Sequence, residues 1–127
     1  MEQIVKILEE QGICPIYEEG FLTFSYQNIN FLYLEDERDK TFYSLYIPGI
    51  LKVDHTCKCD VLEVTNAINN ELKIVKLILN GEYVWAGMEQ RLSSETDLKK
   101  MIFFSIDVLV LAYELFHTKW VHGRALN

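Results

Sequence analysis

The most metal-like group in the chain is His55, Cys57 and Cys59. Imidazole and thiolate both suit zinc, but structural sites space their cysteines as C-x₂₋₄-C and need a second pair. Here one residue separates the cysteines, and Cys14, His117 and His122 lie far along the chain. Helical positions two apart also point in different directions. The sequence therefore implies no metal, and these residues read as an ordinary helix start. A cysteine–histidine nucleophile has no better support, because no glycine-rich oxyanion loop surrounds any of the three cysteines. Free cysteine commonly serves as a small buried hydrophobe.

Glu35-Asp36-Glu37-Arg38-Asp39-Lys40 carries the carboxylates of a cation loop. It lacks the central glycine of a calcium loop, and the twelfth residue from Asp36 is Ile47 rather than Glu. It reads as a solvated hairpin tip. Glu9-Glu10 and Glu18-Glu19 are neighbours in sequence with no sign of a shared cleft. The chain has no P-loop, no G-x-G-x-x-G and no G-x-S-x-G. No catalytic residue is assigned and no cofactor is implied, so the expectation is a protein that is not an enzyme. Trp85 and Trp120 fill a core or an interface.

The elements that carry these residues alternate between helix and strand. Ile4, Val5 and Leu8 share one face of a helix over residues 1–11, and Gly12 suits its end. Cys14-Pro15 enforces an extended exit. Phe21–Tyr26, Ile29–Leu34 and Thr41–Ile47 read as strands of an antiparallel meander. Gln27-Asn28 makes the first turn, and Pro48-Gly49 ends the third strand. Much of both faces of these strands is apolar or aromatic. A sheet solvated on one side should be polar there, so the second face is expected to meet something.

A second helix is predicted over residues 54–72, capped by Asp54 or Thr56. Lys73–Leu79 and Glu82–Leu92 form a hairpin around Asn80-Gly81, the strongest short turn signal. Ser94-Glu95-Thr96-Asp97 resembles a capping box and opens the last helix, which runs to about Trp120. The fold class is α+β: helix, three-stranded meander, helix, β-hairpin and long C-terminal helix. Five mainly antiparallel strands carry the helices. One domain spans residues 1–122, and residues 123–127 form a flexible tail.

From Leu98 to Phe116 the last helix is apolar nearly all the way round, with Lys100, Asp107 and Glu114 as its one polar stripe. Met101–Phe116 is interrupted by Ser105, Asp107 and Glu114 and falls short of the roughly 20 residues of a membrane span. An apolar surface of this size points to burial against a second copy.

Composition agrees. Of 127 residues, 50% are hydrophobic and 24% charged, enough apolar matter for one folded domain. Nineteen acids against 12 bases leave a formal charge of −7. That excludes general nucleic-acid binding and adhesion to anionic membranes. The start Met1-Glu2-Gln3 is no secretory signal, and an odd cysteine count suits a reducing cytoplasm.

Val61 to Thr96 resembles the YbjN family, bacterial sensory-transduction regulators. In that family a helix ends in an Asn-x-x-Asn motif, followed by a strand, a glycine turn and a second strand. Asn66 and Asn69 fall at the motif's asparagines, and Gly81 falls at the turn. The order of elements is similar to the type III secretion chaperone-like fold of that family. The resemblance covers about 35 residues as motif. It implies a small dimeric protein, without known catalytic residues, that binds extended partner segments. Read physically, the asparagines take the left-handed conformation or bond free carbonyls at a helix end.

The expectation is thus a cytoplasmic homodimer holding a protein or extended-peptide partner, by strand addition or in an aromatic groove. Phe31, Tyr33, Tyr43 and Trp85 are assigned to partner contact. Ile102, Ile106, Leu109 and Phe116 are assigned to the dimer seam. The other reading is a small-molecule sensor or enzyme with a pocket between sheet and helices.

Overall fold

The structure, a computed structural model, describes residues 1–125. Three helices and six strands follow in the order α1 (Glu2–Glu10), β1 (Ile16–Glu18), β2 (Phe21–Tyr26), β3 (Ile29–Leu34), β4 (Phe42–Lys52), α2 (Lys58–Glu71), β5 (Lys76–Asn80), β6 (Tyr83–Arg91) and α3 (Leu98–Ala125). The α+β class and the long last helix are as the sequence predicts. The sheet has six strands rather than five, ordered β1-β2-β3-β4-β6-β5. The extra strand is the lead-in at Ile16–Glu18, which pairs antiparallel with Phe21–Thr23.

Turn chemistry sets the registers. Gln27 and Asn28 both have positive φ, and Tyr26 pairs with Ile29, so this two-residue turn is type I′. The second hairpin is shifted by one residue from the expected Asn80-Gly81. Asn80 pairs with Tyr83, so Gly81 and Glu82 form the turn, and Gly81 alone has positive φ. That is the pattern of a type II′ turn, which wants glycine first.

Pro48-Gly49 does not end β4. The strand continues to Lys52 across an irregularity between Ile47 and Leu51. Proline is tolerated at such a bulge because no ladder bond is asked of its nitrogen.

Helix starts also differ in detail. α2 begins at Lys58, four residues later than expected, because Asp54 holds a turn instead. Its carboxylate accepts the N–H groups of Thr56 and Cys57 at 2.8 and 3.2 Å. α3 is capped by Asp97, which accepts the Lys100 N–H at 3.2 Å, and not by Ser94. α3 passes Gly123 and reaches Ala125; of the expected tail, Leu126 and Asn127 lie outside the described residues. α1 ends as expected, with Gly12 and Ile13 returning their N–H groups to Glu9 and Leu8.

All three helices lie on one face of the sheet. That face carries Leu22, Phe24, Phe31, Tyr33, Tyr43, Leu45, Ile47, Leu77, Val84, Ala86 and Met88, all buried. α3 rests on β4 and β6 and meets both α1 and α2. Over Leu98–Gly123 it is long and apolar enough, at mean hydropathy 1.5, to cross a bilayer. The apolar run is therefore longer than its sequence boundaries suggested. Its inward face is engaged by the domain's own sheet: Ile102, Ile106, Leu109, Ala112 and Phe116 have no more than 1% of their surface exposed.

One polar contact fixes the rotation of α3. The hydroxyls of Tyr43 and Ser105 lie 2.6 Å apart inside the core, and Ser105 donates to the Ile102 carbonyl at 2.8 Å. Since the serine proton is committed, Tyr43 is the donor to Ser105. Burial pushes the Tyr43 phenol strongly upward, and Tyr33 adds to the shift.

Candidate functional site

Period-two alternation sends every second strand residue to the face opposite the helices. On that face lie Leu32, Leu34, Phe42, Tyr46, Ile78, Tyr83 and Trp85. None is buried, and Ile78 and Tyr83 keep over 40% of their surface. No described element covers them.

Tyr46 stands at the centre of this face. Cross-strand register aligns Thr23, Leu32, Tyr46 and Gly87 in one row, continued by Lys76 on the edge strand. The Tyr46 ring lies on Gly87: a Cβ there would sit 2.7 Å from its Cδ1. Its edge meets Trp85, with ring centroids 5.8 Å apart at 67°. Its hydroxyl donates to Glu89 Oε1 at 2.5 Å. Burial first, then the carboxylate beside it, pushes the phenol up to about 12. The result is an amphipathic aromatic platform held in place by a glycine, an indole and a carboxylate. Such a surface suits contact with a second molecule more than chemistry.

The edges of the sheet are unequal. At β5 the Asn69 side chain accepts the Leu77 N–H at 2.8 Å and donates to the Leu77 carbonyl at 2.9 Å. It therefore occupies the ladder position an added strand would use. Asn69 is the second asparagine of the Asn-x-x-Asn motif, and its role is structural, as expected. The groups it satisfies belong to the sheet edge rather than to its own helix. Asn66 is exposed. At the other edge β1 is only three residues long, with Ile16 and Tyr17 well exposed.

The predicted contact residues divide between the two faces. Trp85 lies on the uncovered face. Phe31, Tyr33 and Tyr43 lie on the helix face, with 1, 5 and 1% exposure. They are core residues: Phe31 stacks on Phe24 at 5.1 Å and Tyr33 meets Tyr43 at 5.4 Å. The four residues assigned to a dimer seam, Ile102, Ile106, Leu109 and Phe116, are likewise inside the protomer. A folded protomer leaves them no surface to offer a second copy. The large apolar residues α3 does expose are Phe104, Leu111 and, near its end, Val121, at 46, 52 and 62%, with Val108 and Leu115 half-buried along the stripe of the first two.

Leu32, Tyr46 and Ile78 were not singled out from sequence. The signal was present as the second apolar parity of each strand, without anything to say which parity the helices take. His55, Cys57 and Cys59 do not assemble, and among the described residues no three His, Cys, Asp or Glu side chains form a metal-binding group. His117 sits against Tyr113 and Phe116, its Nε2 buried without a hydrogen-bond partner. A cavity of about 780 Å³ opens beside Cys14, Ser25, Tyr26 and Asn30, where Ser25 already donates to Asn30 at 2.6 Å.

No protein-family model and no curated protein matches the chain. Among solved structures it is similar to YbjN from E. coli, described as a candidate transcription regulator, at a TM-score of 0.71 and 9% identity. The match covers 96% of this chain and 92% of that one. At that identity the likeness is one of architecture: the chain has the YbjN-like fold.

Proposed function

We propose that this protein is a non-enzymatic, protein-binding regulatory module whose partner docks on the uncovered sheet face. The observation that carries this reading is the apolar patch of Leu32, Tyr46, Trp85 and Ile78, left without a covering element among the described residues. Exposed apolar patches of this kind mark interaction surfaces. The regulator description of YbjN is consistent with it. Of the two docking modes, the aromatic face has more support than strand addition, because Asn69 occupies the β5 edge and β1 is short. A sensor or enzyme reading has less support. The cavity beside Cys14 is lined by apolar residues and by neutral polar ones, Thr23, Ser25, Gln27 and Asn30 among them, and by no carboxylate, amine or imidazole.

The module acts as a homodimer in this reading, with self-association moved to the outer stripe of α3. Met101, Phe104, Val108, Leu111 and Leu115 follow the 3–4 spacing of a helix-pairing seam. Three free thiols fit the reducing cytoplasm expected from the sequence.

The test is crosslinked capture from native lysate with the wild-type chain and with Trp85→Ala and Ile78→Ser. Both variants should keep the wild-type circular dichroism and lose the captured protein. Capture of the same protein by all three chains would show that the face is not the docking site.

A further inference from the structure

The uncovered face is not uniformly apolar. At the end beside the β3–β4 connection, a cavity of about 530 Å³ is bounded by Leu34, Ser44 and Tyr46 and by the acidic residues Asp36, Glu37 and Glu89, with Glu35 reaching both this cavity and Tyr33 on the helix face. The one cation in its lining is Arg38, whose guanidinium points to solvent at 94% side-chain exposure and stands 3.7 Å from Asp36. Asp36 Oδ1 also accepts the Arg38 N–H at 2.9 Å, and an exposed ion pair of 3.7 Å is weak, so the acidic end keeps its negative character. Glu89 is held to the platform by the Tyr46 hydroxyl, which keeps its proton because burial and Glu89 both raise its pKa. The Tyr46 ring sets its Cδ1–Cε1 edge against Gly87, and the residue lines the acidic end of the face.

We infer that the occupant of the uncovered face is a protein segment in which apolar residues are joined to a lysine or arginine. The apolar side chains cover Leu32, Trp85 and Ile78. The cation enters the acidic end, beside the Tyr46 ring and against Glu89 and its neighbours. An aromatic face and a carboxylate together select a cationic side chain over a neutral or acidic one. This rests on the reading of the face as a docking surface and adds the chemical class of the partner.

Labelled twelve-residue peptides of alternating Leu and Lys, Leu and Glu, Leu and Ser, and Ser and Lys test it by fluorescence anisotropy with the full chain. The Leu/Lys peptide should bind most tightly. Tyr46→Leu and the pair Glu37→Gln, Glu89→Gln should each weaken it roughly tenfold. Removing two distant carboxylates, Glu9→Gln and Glu10→Gln on α1, should leave it unchanged, which separates a local site from overall charge. If the Leu/Lys, Leu/Glu and Leu/Ser peptides bind alike and all weaken on Trp85→Ala, the docking face stands and the cationic class is overturned. If Ser/Lys binds as well as Leu/Lys, or if no peptide binds, both readings are overturned.

Discussion

The side chain of Asn69 pairs with both main-chain groups of Leu77, accepting its N–H at 2.8 Å and donating to its carbonyl at 2.9 Å. A tight turn makes this possible. The Val75 N–H returns to the Lys73 carbonyl at 2.8 Å around Ile74, whose φ is +76°. The chain thus doubles back from α2 so that β5 runs past the end of the helix that precedes it. A β-branched residue at positive φ is costly, and such strain persists only where the surroundings fix it. Here the edge of the sheet is closed in return.

Asn69→Ala should therefore lower unfolding stability by about 2–3 kcal/mol, because two edge groups of a buried residue lose their partner together. Asn66→Ala, at an exposed position of the same motif, should cost under about 0.5 kcal/mol. Urea unfolding of the two variants compares them directly. Equal losses would mean that the Leu77 contact is not what the second asparagine does.

The packing of Tyr46 on Gly87 gives a second expectation. Gly87→Ala places a methyl 2.7–2.8 Å from Cδ1 and Cε1 of the ring. The ring must lift away, and Trp85 and Glu89 lose their contacts with it. We expect a loss of about 1–3 kcal/mol, as for other overpacked sites. A Gly87→Ala protein as stable as wild type, with unchanged near-ultraviolet circular dichroism, would refute this close contact.

Alkaline pH should destabilise the fold through its tyrosines. Burial raises the phenols of Tyr43, Tyr46 and Tyr33 above the ordinary value of 10.0. Below pH 10 both folded and unfolded chains hold these protons, and the stabilisation is complete. Above it the unfolded chain releases protons that the folded one retains, so stability falls as pH rises from 10 through about 12 for Tyr46 and beyond for Tyr43. At pH 11 the Tyr43 share is about 1 kcal/mol. Tyr43→Phe should remove that share of the pH dependence while costing about 1 kcal/mol at neutral pH for the lost Ser105 bond. A urea midpoint series from pH 8 to 11 reads both.

Much of this architecture is legible in the residues. Gln27-Asn28 announces its hairpin, Gly12 its helix end, and the apolar periods place two short helices and the strands. The faces are where sequence falls short. β4 offers Tyr43, Leu45 and Ile47 on one parity and Phe42, Ser44 and Tyr46 on the other, both rich in aromatic surface. The choice between them is made by α3, through the buried Tyr43–Ser105 contact, which joins residues 62 positions apart. α3 has the same ambiguity. Residues 102, 106, 109 and 116 and residues 101, 104, 108, 111 and 115 are both apolar stripes with helical spacing. Period alone cannot say which one the sheet takes.

That ambiguity makes adjacent leucines of α3 a sharp comparison. Leu109 has no exposed surface, whereas Leu111 is 52% exposed on the opposite side of the helix. Leu109→Asp buries a carboxylate among Ile106, Ala112 and the sheet with no partner for its charge. It should cost about 4 kcal/mol or more and yield unfolded or aggregated protein, whatever the oligomeric state. Leu111→Asp leaves the core intact and should change stability by less than about 1 kcal/mol. If the outer stripe pairs two copies, the same change places two carboxylates in an apolar seam and yields folded monomer. Circular dichroism reports the fold, and light scattering at micromolar concentration reports the mass. A well-folded Leu109→Asp protein would contradict the observed rotation of α3. A wild-type chain that is already monomeric, or a Leu111→Asp dimer, would remove the outer stripe as the place where two copies meet.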